Sequence, residues 1–313
     1  MRILNFGSLN IDYVYAVDAF LRPGETKAAK SLMVNCGGKG LNQSIAAAKA
    51  GNDVWHAGLL GGAAEMLRDK LAQNGVDVRL VKPVPEQAGH AIIQVDESGQ
   101  NCILLYGGTN RMLTKEWIDA AFDAFQAEGE GGLVLLQNET NLVPYIIEQA
   151  AARGLSTALN AAPMDDGVGE YPLDKLTWLI VNEVEGGALA GTEEEDAILS
   201  ALRKKYPHCG VLLTLGAHGA RCMEPEGRVT RCGSYRVRAV DTTAAGDTFT
   251  GYFLYGMLHG LSIPDTLRLA TTASALCVGR PGAADSVPEK AEVDAAIAGE
   301  RFGALFIGQE EMQ

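Results

Sequence analysis

Short apolar runs alternate with longer stretches of helical spacing along most of this chain, and that alternation restricts the fold more than any other feature. The runs are residues 3–6, 54–60, 133–137, 157–160, 178–181 and 211–215. Between them, 41–50, 66–74, 116–125, 143–152 and 197–206 read as helices. Strands that are apolar almost throughout must be covered on both faces, which is the condition of a parallel sheet between helix layers. The expected class is therefore α/β, a three-layer α/β/α arrangement around a mainly parallel central sheet. No internal repeat, low-complexity tract or Pro/Ser-rich linker divides the 313 residues, so a single domain over 1–313 is expected.

Two segments, 26–34 and 89–106, read as strands with no helix between them and their neighbours. The second contains Asp96-Glu97-Ser98-Gly99, a hairpin-turn sequence. Antiparallel strands outside a parallel core make either an edge extension or a small separate sheet. The expectation is a β-sheet lid formed by segments of about 12–35 and 88–108.

Composition excludes several classes. Apolar residues at 47% and charged residues at 21% are globular values. With 26 basic and 39 acidic residues the net charge is 26 − 39 = −13, which disfavours nucleic acid and anionic membranes as partners of the whole surface. The six cysteines, at 36, 102, 209, 222, 232 and 277, form no C-x-x-C pair, and the five histidines have no metal-ligand spacing. The N-terminal residues carry no signal-peptide pattern, and no apolar run approaches the roughly 18 residues of a membrane span. A cytoplasmic protein with reduced thiols is expected.

Glycine is in excess, at 37 of 313 residues, or about 12% against a usual value of about 7%. Part of that excess falls in Asn35-Cys36-Gly37-Gly38-Lys39-Gly40-Leu41-Asn42-Gln43, just before a helix. Paired glycines let the backbone approach a ligand closely, although a glycine turn also serves structure alone. The run is neither a Walker A loop nor a G-x-G-x-x-G turn. A second run, Asp241-Thr242-Thr243-Ala244-Ala245-Gly246-Asp247-Thr248-Phe249, opens a helix near Ala245. Small residues at a helix start leave its first N–H groups open to an anion, and Asp247 falls in the first turn.

Polar residues also follow the apolar runs: Asn10 and Asp12, Asn138 and Glu139, Asn160, Asn182 and Glu185, Thr214 and Gly216. Each alone suits a turn or a helix cap. Together they predict a polar cleft at the carboxyl ends of the strands, where open parallel sheets bind ligands.

The runs 37–43 and 241–249, in this order and about 200 residues apart, resemble the two signatures of the ribokinase-like (PfkB) sugar kinases. The resemblance extends through Gly7-Ser8-Leu9-Asn10-Ile11-Asp12, Pro23-Gly24-Glu25-Thr26, Leu136-Gln137-Asn138-Glu139, Asn182-Glu183-Val184-Glu185 and Thr214-Leu215-Gly216-Ala217-His218-Gly219. It implies that Asn10, Asp12, Gly38, Lys39, Asn42 and Glu139 bind a sugar. Asn182 and Glu185 would organise Mg²⁺ and phosphate, Glu185 through water, and Thr214, Gly216 and Gly219 would meet the nucleotide. Asp247 would be the catalytic base, with Ala244, Ala245 and Gly246 as the anion hole. Asp241, Thr243, Cys277, Arg280, Gly282 and Ser286 would hold a monovalent cation, K⁺, mostly through carbonyls.

The implied reaction is transfer from ATP to the primary hydroxyl of a small sugar, first of all D-ribose to D-ribose 5-phosphate. A deoxysugar, a ketose, a nucleoside or a non-catalytic sugar sensor are the alternatives. The family also implies a homodimer joined through the lid. Three positions depart from the ribokinase pattern: Ile11, Thr271, and Ala161 within Asn160-Ala161-Ala162-Pro163. Ile11 bears on which sugar is bound.

Overall fold

The computed structural model describes residues 2–129 and 131–311. Strand β1 (Arg2–Phe6) is followed by β2 (Asn10–Ala16) and β3 (Ser31–Gly37), then by α1 (Lys39–Lys49) and β4 (Asp53–Gly61). Helix α2 (Glu65–Gln73) leads into β5 (Asp77–Val84), and β6 (Gly89–Val95) and β7 (Asn101–Tyr106) form a hairpin. The order then runs α3 (Lys115–Ala127), β8 (Leu133–Gln137), α4 (Val143–Ala152), β9 (Ser156–Asn160) and β10 (Trp178–Asn182). Next come α5 (Glu183–Ala190), α6 (Glu195–Lys205), β11 (Gly210–Thr214), β12 (Ala220–Met223) and β13 (Arg228–Cys232). Helices α7 (Ala245–Leu258), α8 (Ile263–Cys277) and α9 (Lys290–Ala298) precede β14 (Ile307–Glu311).

Ten of these strands make one sheet in the order β14-β13-β12-β11-β10-β9-β8-β1-β4-β5. Neighbours from β11 to β5 pair in parallel, and β12 to β14 add an antiparallel edge. Side-chain alternation divides the core into two layers. Ile3, Leu133, Leu135 and Ile180 pack under α1, α7 and α8, whereas Leu4, Val134, Leu136, Leu179 and Val181 pack under α3, α4 and α6. The continuous apolar runs of the sequence are thus strands with both faces covered, as expected. Among the described residues no helix is long and apolar enough to cross a membrane.

The other four strands form a separate small sheet, β3-β2-β6-β7. It is the expected lid, with its strands displaced from the reading above. The first expected lid strand, 26–34, begins only at Ser31 and runs on to Gly37, into the glycine turn itself. Asn10 and Asp12 do not stand on a loop after β1; they belong to β2, a lid strand whose apolar residues are Ile11 and Tyr13 to Ala16. The hairpin turn lies where expected: Asp96 Oδ1 accepts from Ser98 N and Gln100 N, and Gly99 takes φ 81°. Strands β5 and β12 to β14 had no counterpart in the apolar pattern: β5 and β14 are the edges of the sheet, and the short inner strands β12 and β13 are interrupted by Arg221, Arg228 and Arg231.

Candidate active site

Strands β1 and β8 are neighbours, and the chain departs from them toward opposite edges of the sheet. That reversal opens a crevice at their carboxyl ends. Ser8, just after β1, and Glu139, just after β8, meet across it, Ser8 Oγ donating to Glu139 Oε2. The same oxygen accepts the Lys39 N–H at 2.9 Å, and Ser8 Oγ accepts the Gly40 N–H at 3.0 Å. Helix α1 is docked here by its glycines. Gly38 has φ 92°, and a Cβ on Gly40 would stand 2.1 Å from the Ser8 nitrogen.

Asn10 and Asp12 lie two apart on β2 and therefore share one face, while Ile11 turns the other way and packs against the core. The departure at Ile11 thus leaves the face carrying Asn10 and Asp12 unchanged. Asn10 Oδ1 accepts from Asn110 Nδ2 at 2.7 Å, so its own amide nitrogen is the group left to face the crevice. Asn42 adds a buried Oδ1 with no partner, an acceptor suited to a hydroxyl donor.

Helix α7 begins where the second motif predicts. Its N-cap, Ala244, is in the left-handed region at φ 60°, and no side chain caps the first N–H groups. A Cβ on Gly246 would meet no protein atom, so the space beside these amides is open to a ligand. Asp247, 7% exposed, accepts from Asn42 Nδ2 at 3.1 Å and from Gln43 Nε2 at 2.8 Å. The two motifs are therefore in contact.

Two cavities adjoin at this helix start. The smaller, about 210 Å³, is lined by Lys39, Asn160, Asn182, Glu185, Gly246 and Asp247 among others. The larger is a slot of about 420 Å³ holding Thr214, Gly216, Gly219, Tyr235, Phe249 and Thr271. Asn182 and Glu185 form a capping box on α5: Asn182 Oδ1 accepts Glu185 N at 2.8 Å, and Glu185 Oε2 accepts Asn182 N at 2.9 Å. Glu185 Oε1 takes no part in this box.

Lys39 is the only cation among the described residues lining either cavity. Burial opposes its charge, but Asp247, Glu139 and Glu185 outweigh burial and hold the ammonium above its ordinary value. Burial, reinforced by the charge of Glu139, pushes the Asp12 carboxyl up to about 7. Burial also raises Glu139 and Glu185. Three carboxylates around one ammonium make the smaller cavity unfavourable to a polyphosphate unless a cation enters with it.

The six residues expected at a monovalent cation lie on two adjacent segments, the loop before α7 and the end of α8 with the turn after it, joined where Asp241 Oδ2 accepts Gly282 N at 3.0 Å. Asp241 Oδ1 accepts Thr243 N at 2.9 Å, and despite burial these bonds lower its carboxyl. The Arg280 guanidinium pairs with Glu292, and Cys277 Sγ lies 3.0 Å from Ser286 Oγ. Arg280 therefore has its carbonyl to offer an ion here. No cluster of His, Cys, Asp and Glu that could hold a metal occurs among the described residues.

Four residues escaped the sequence reading as parts of the site: Asn110, Gln43, Gln137 and Asn5. Gln43 and Gln137 stood inside quoted motifs, but Asn110 and Asn5 carry no local signal.

A carboxylate beside uncapped helix-start amides, between a cup of buried amides and carboxylates and an apolar slot, suits phosphoryl transfer to an alcohol. Residues 2–290 match the pfkB family carbohydrate kinases, and the chain belongs to that family, whose members are ATP-dependent sugar phosphotransferases. It is 32% identical to a ribokinase of Haemophilus influenzae over 91% of this chain and 95% of that one. A deoxyribokinase of Salmonella typhi is 30% identical over 92% and 96%. The structure of Arabidopsis thaliana ribokinase complexed with ribose and ATP superposes with a TM-score of 0.82, at 29% identity, over 93% of this chain and 97% of that one.

Proposed function

We propose that this protein transfers the terminal phosphoryl group of ATP to the primary hydroxyl of D-ribose, giving D-ribose 5-phosphate. The observation that carries the reading is the contact of Asp247 with Asn42, which brings a base to the sugar side of the anion hole. The sugar lies in the cup of Asn10, Asp12, Gly38, Lys39, Asn42 and Glu139. Buried amides and carboxylates suit a polyol, since each bonded hydroxyl offsets the desolvation of its partner.

Asp247 removes the hydroxyl proton, and the oxygen forms a bond to the γ-phosphorus as the bond to the departing ADP oxygen breaks. The N–H groups of Ala244, Ala245 and Gly246, with Lys39, take up the charge that develops on the transferring group. Losing one such donor costs on the order of 3 kcal/mol in the barrier. The adenine and ribose of ATP occupy the slot beside Thr214, Gly216 and Gly219. The small cavity fits Mg²⁺: Asn182 and Glu185 would hold it, Glu185 through Oε1 and water, in keeping with magnesium's retention of its waters. When bound it neutralises phosphate charge. The loops of Asp241, Thr243, Cys277, Arg280, Gly282 and Ser286 fit K⁺ through oxygen ligands.

The lid leaves Leu32, Met33, Ile103, Leu104 and Tyr106 exposed, and we read this apolar surface as the contact of a homodimer. Six free cysteines agree with a cytoplasmic enzyme. 2-Deoxyribose is the second reading, because the deoxyribokinase relative matches about as well as the ribokinases. The test is an ATP-dependent phosphorylation panel of ribose, 2-deoxyribose, ketoses and nucleosides. The expected result is the highest kcat/KM with ribose; no turnover of any sugar would overturn the reading.

A further inference from the structure

Beneath the site runs a buried polar chain whose hydrogen-bond directions are set from its backbone ends. Asn5, Gln43, Ser44, His56 and Gln137 are each at most 1% exposed. A main-chain carbonyl only accepts, so Asn5 Nδ2, bonded to Gly40 O at 2.9 Å and Ser44 Oγ at 2.8 Å, turns its Oδ1 toward Gln137. Gln137 Nε2 donates to that oxygen at 3.2 Å and to Gln43 Oε1 at 2.8 Å. Only the amide nitrogen of Gln43 then remains for Asp247, and it donates to Oδ1 at 2.8 Å. At the far end His56 Nε2 donates to Gly7 O at 3.2 Å, leaving Nδ1 to accept from Ser44 Oγ at 2.8 Å. Burial pushes the imidazole down to about 4, so the ring stays neutral and the direction holds.

We propose that Gln43 and Gln137 are positioning residues that lock the rotamer of Asp247, Gln43 by donating to its carboxylate and Gln137 by preventing the Gln43 amide from flipping. This rests on Asp247 being the base. A flipped Gln43 would turn its carbonyl oxygen toward the carboxylate and its nitrogen toward the nitrogen of Gln137, two unfavourable contacts in a buried place. Gln137 Oε1 has no partner, so this side chain leaves an acceptor unused while both its protons direct neighbours. Apolar residues would fill the same volume without that cost. The chain ends on Asp247, between Lys39 and Glu139, the charged groups that act on it from α1 and from the end of β8.

The experiment compares Gln43→Met, Gln137→Met and their double variant, with Asp247→Asn as reference, by steady-state kinetics. Gln43→Met is expected to lower kcat roughly 10- to 100-fold, the loss of a hydrogen bond to a charged group, with the KM for sugar and for ATP within about threefold. Gln137→Met is expected to lower kcat less, and the double variant to be no slower than Gln43→Met, since Gln137 acts through Gln43. Parent kcat in both single variants beside an inactive Asp247→Asn overturns the proposal, as do losses that multiply or appear only in KM. Parent turnover in Asp247→Asn overturns the base assignment itself, and the network's role with it. Should Gln43→Met not fold, Gln43→Glu keeps the volume. Its protonated carboxyl can donate to Asp247 and its ionised form cannot, so kcat should fall as pH rises; a pH profile like the parent's overturns the proposal.

Discussion

Asn110 donates to Asn10 across 100 positions of sequence, at 2.7 Å, and so decides which end of the Asn10 amide faces the proposed sugar cup. Asn110 is itself held by Leu9, whose N–H donates to its Oδ1 at 2.9 Å. Replacing Asn110 by Ala frees the Asn10 amide to turn. The expected result is a rise of about tenfold in the KM for the sugar, the usual scale for one misdirected buried hydrogen bond, with the KM for ATP within twofold. Steady-state kinetics with each substrate varied checks it.

Asp247→Asn removes the base and keeps the volume; its single oxygen can still accept from Gln43, while its amide nitrogen faces the Asn42 donor. It is expected to lower kcat by about 10²–10⁴-fold, the range for general-base catalysis. Sugar binding, measured by titration calorimetry, should stay within a few-fold of the parent.

Asp12 predicts a pH dependence. Its folded carboxyl, at about 7, lies above the ordinary value of 3.8, so its contribution to stability is full below about pH 4 and is lost as pH rises through 7. Sugar hydroxyls donate to the ionised form, so binding near neutrality expels a proton. Sugar affinity should be about tenfold weaker at pH 6 than at pH 8. Calorimetry in buffers of different ionisation enthalpy should record proton release at pH 7 and little at pH 8.5.

Ala244 holds a left-handed conformation that glycine adopts freely and a β-branched residue resists. Ala244→Gly is expected to keep activity and stability within about 1 kcal/mol of the parent. Ala244→Val is expected to lose about 1–3 kcal/mol and most of its turnover, because the amides beside it are displaced. Thermal melts and kcat measure the two effects.

For the cation loops the expectation is a rise of rate with added K⁺ that saturates, and a weaker response in Asp241→Asn. The carboxylate of Asp241 ties the two loops together through Gly282. A flat titration of rate against K⁺ in the parent would remove the ion from the scheme.

Several parts of this molecule were legible in the residue order alone. The parallel core was, since a strand covered on both faces must be apolar at consecutive positions, as in Leu133–Gln137. So were the turn at Asp96 to Gly99 and the start of α7, because both depend on neighbours a few residues apart.

Other features came only with the tertiary structure. Asn10 and Asp12 looked like strand-end residues and proved to be part of the lid strand β2, because the pairing of that strand with β3 and β6 is made by residues distant in sequence. Asn182 and Glu185, which cap each other locally, are brought to the wall of the smaller cavity beside Lys39 and Asp247. Asn5, Gln43, Gln137 and Asn110 owe their roles to partners 94 to 204 positions away. Side-chain periodicity reports which face of an element is buried; the order of strands in the sheet decides what that face meets, and that order is a property of the whole chain.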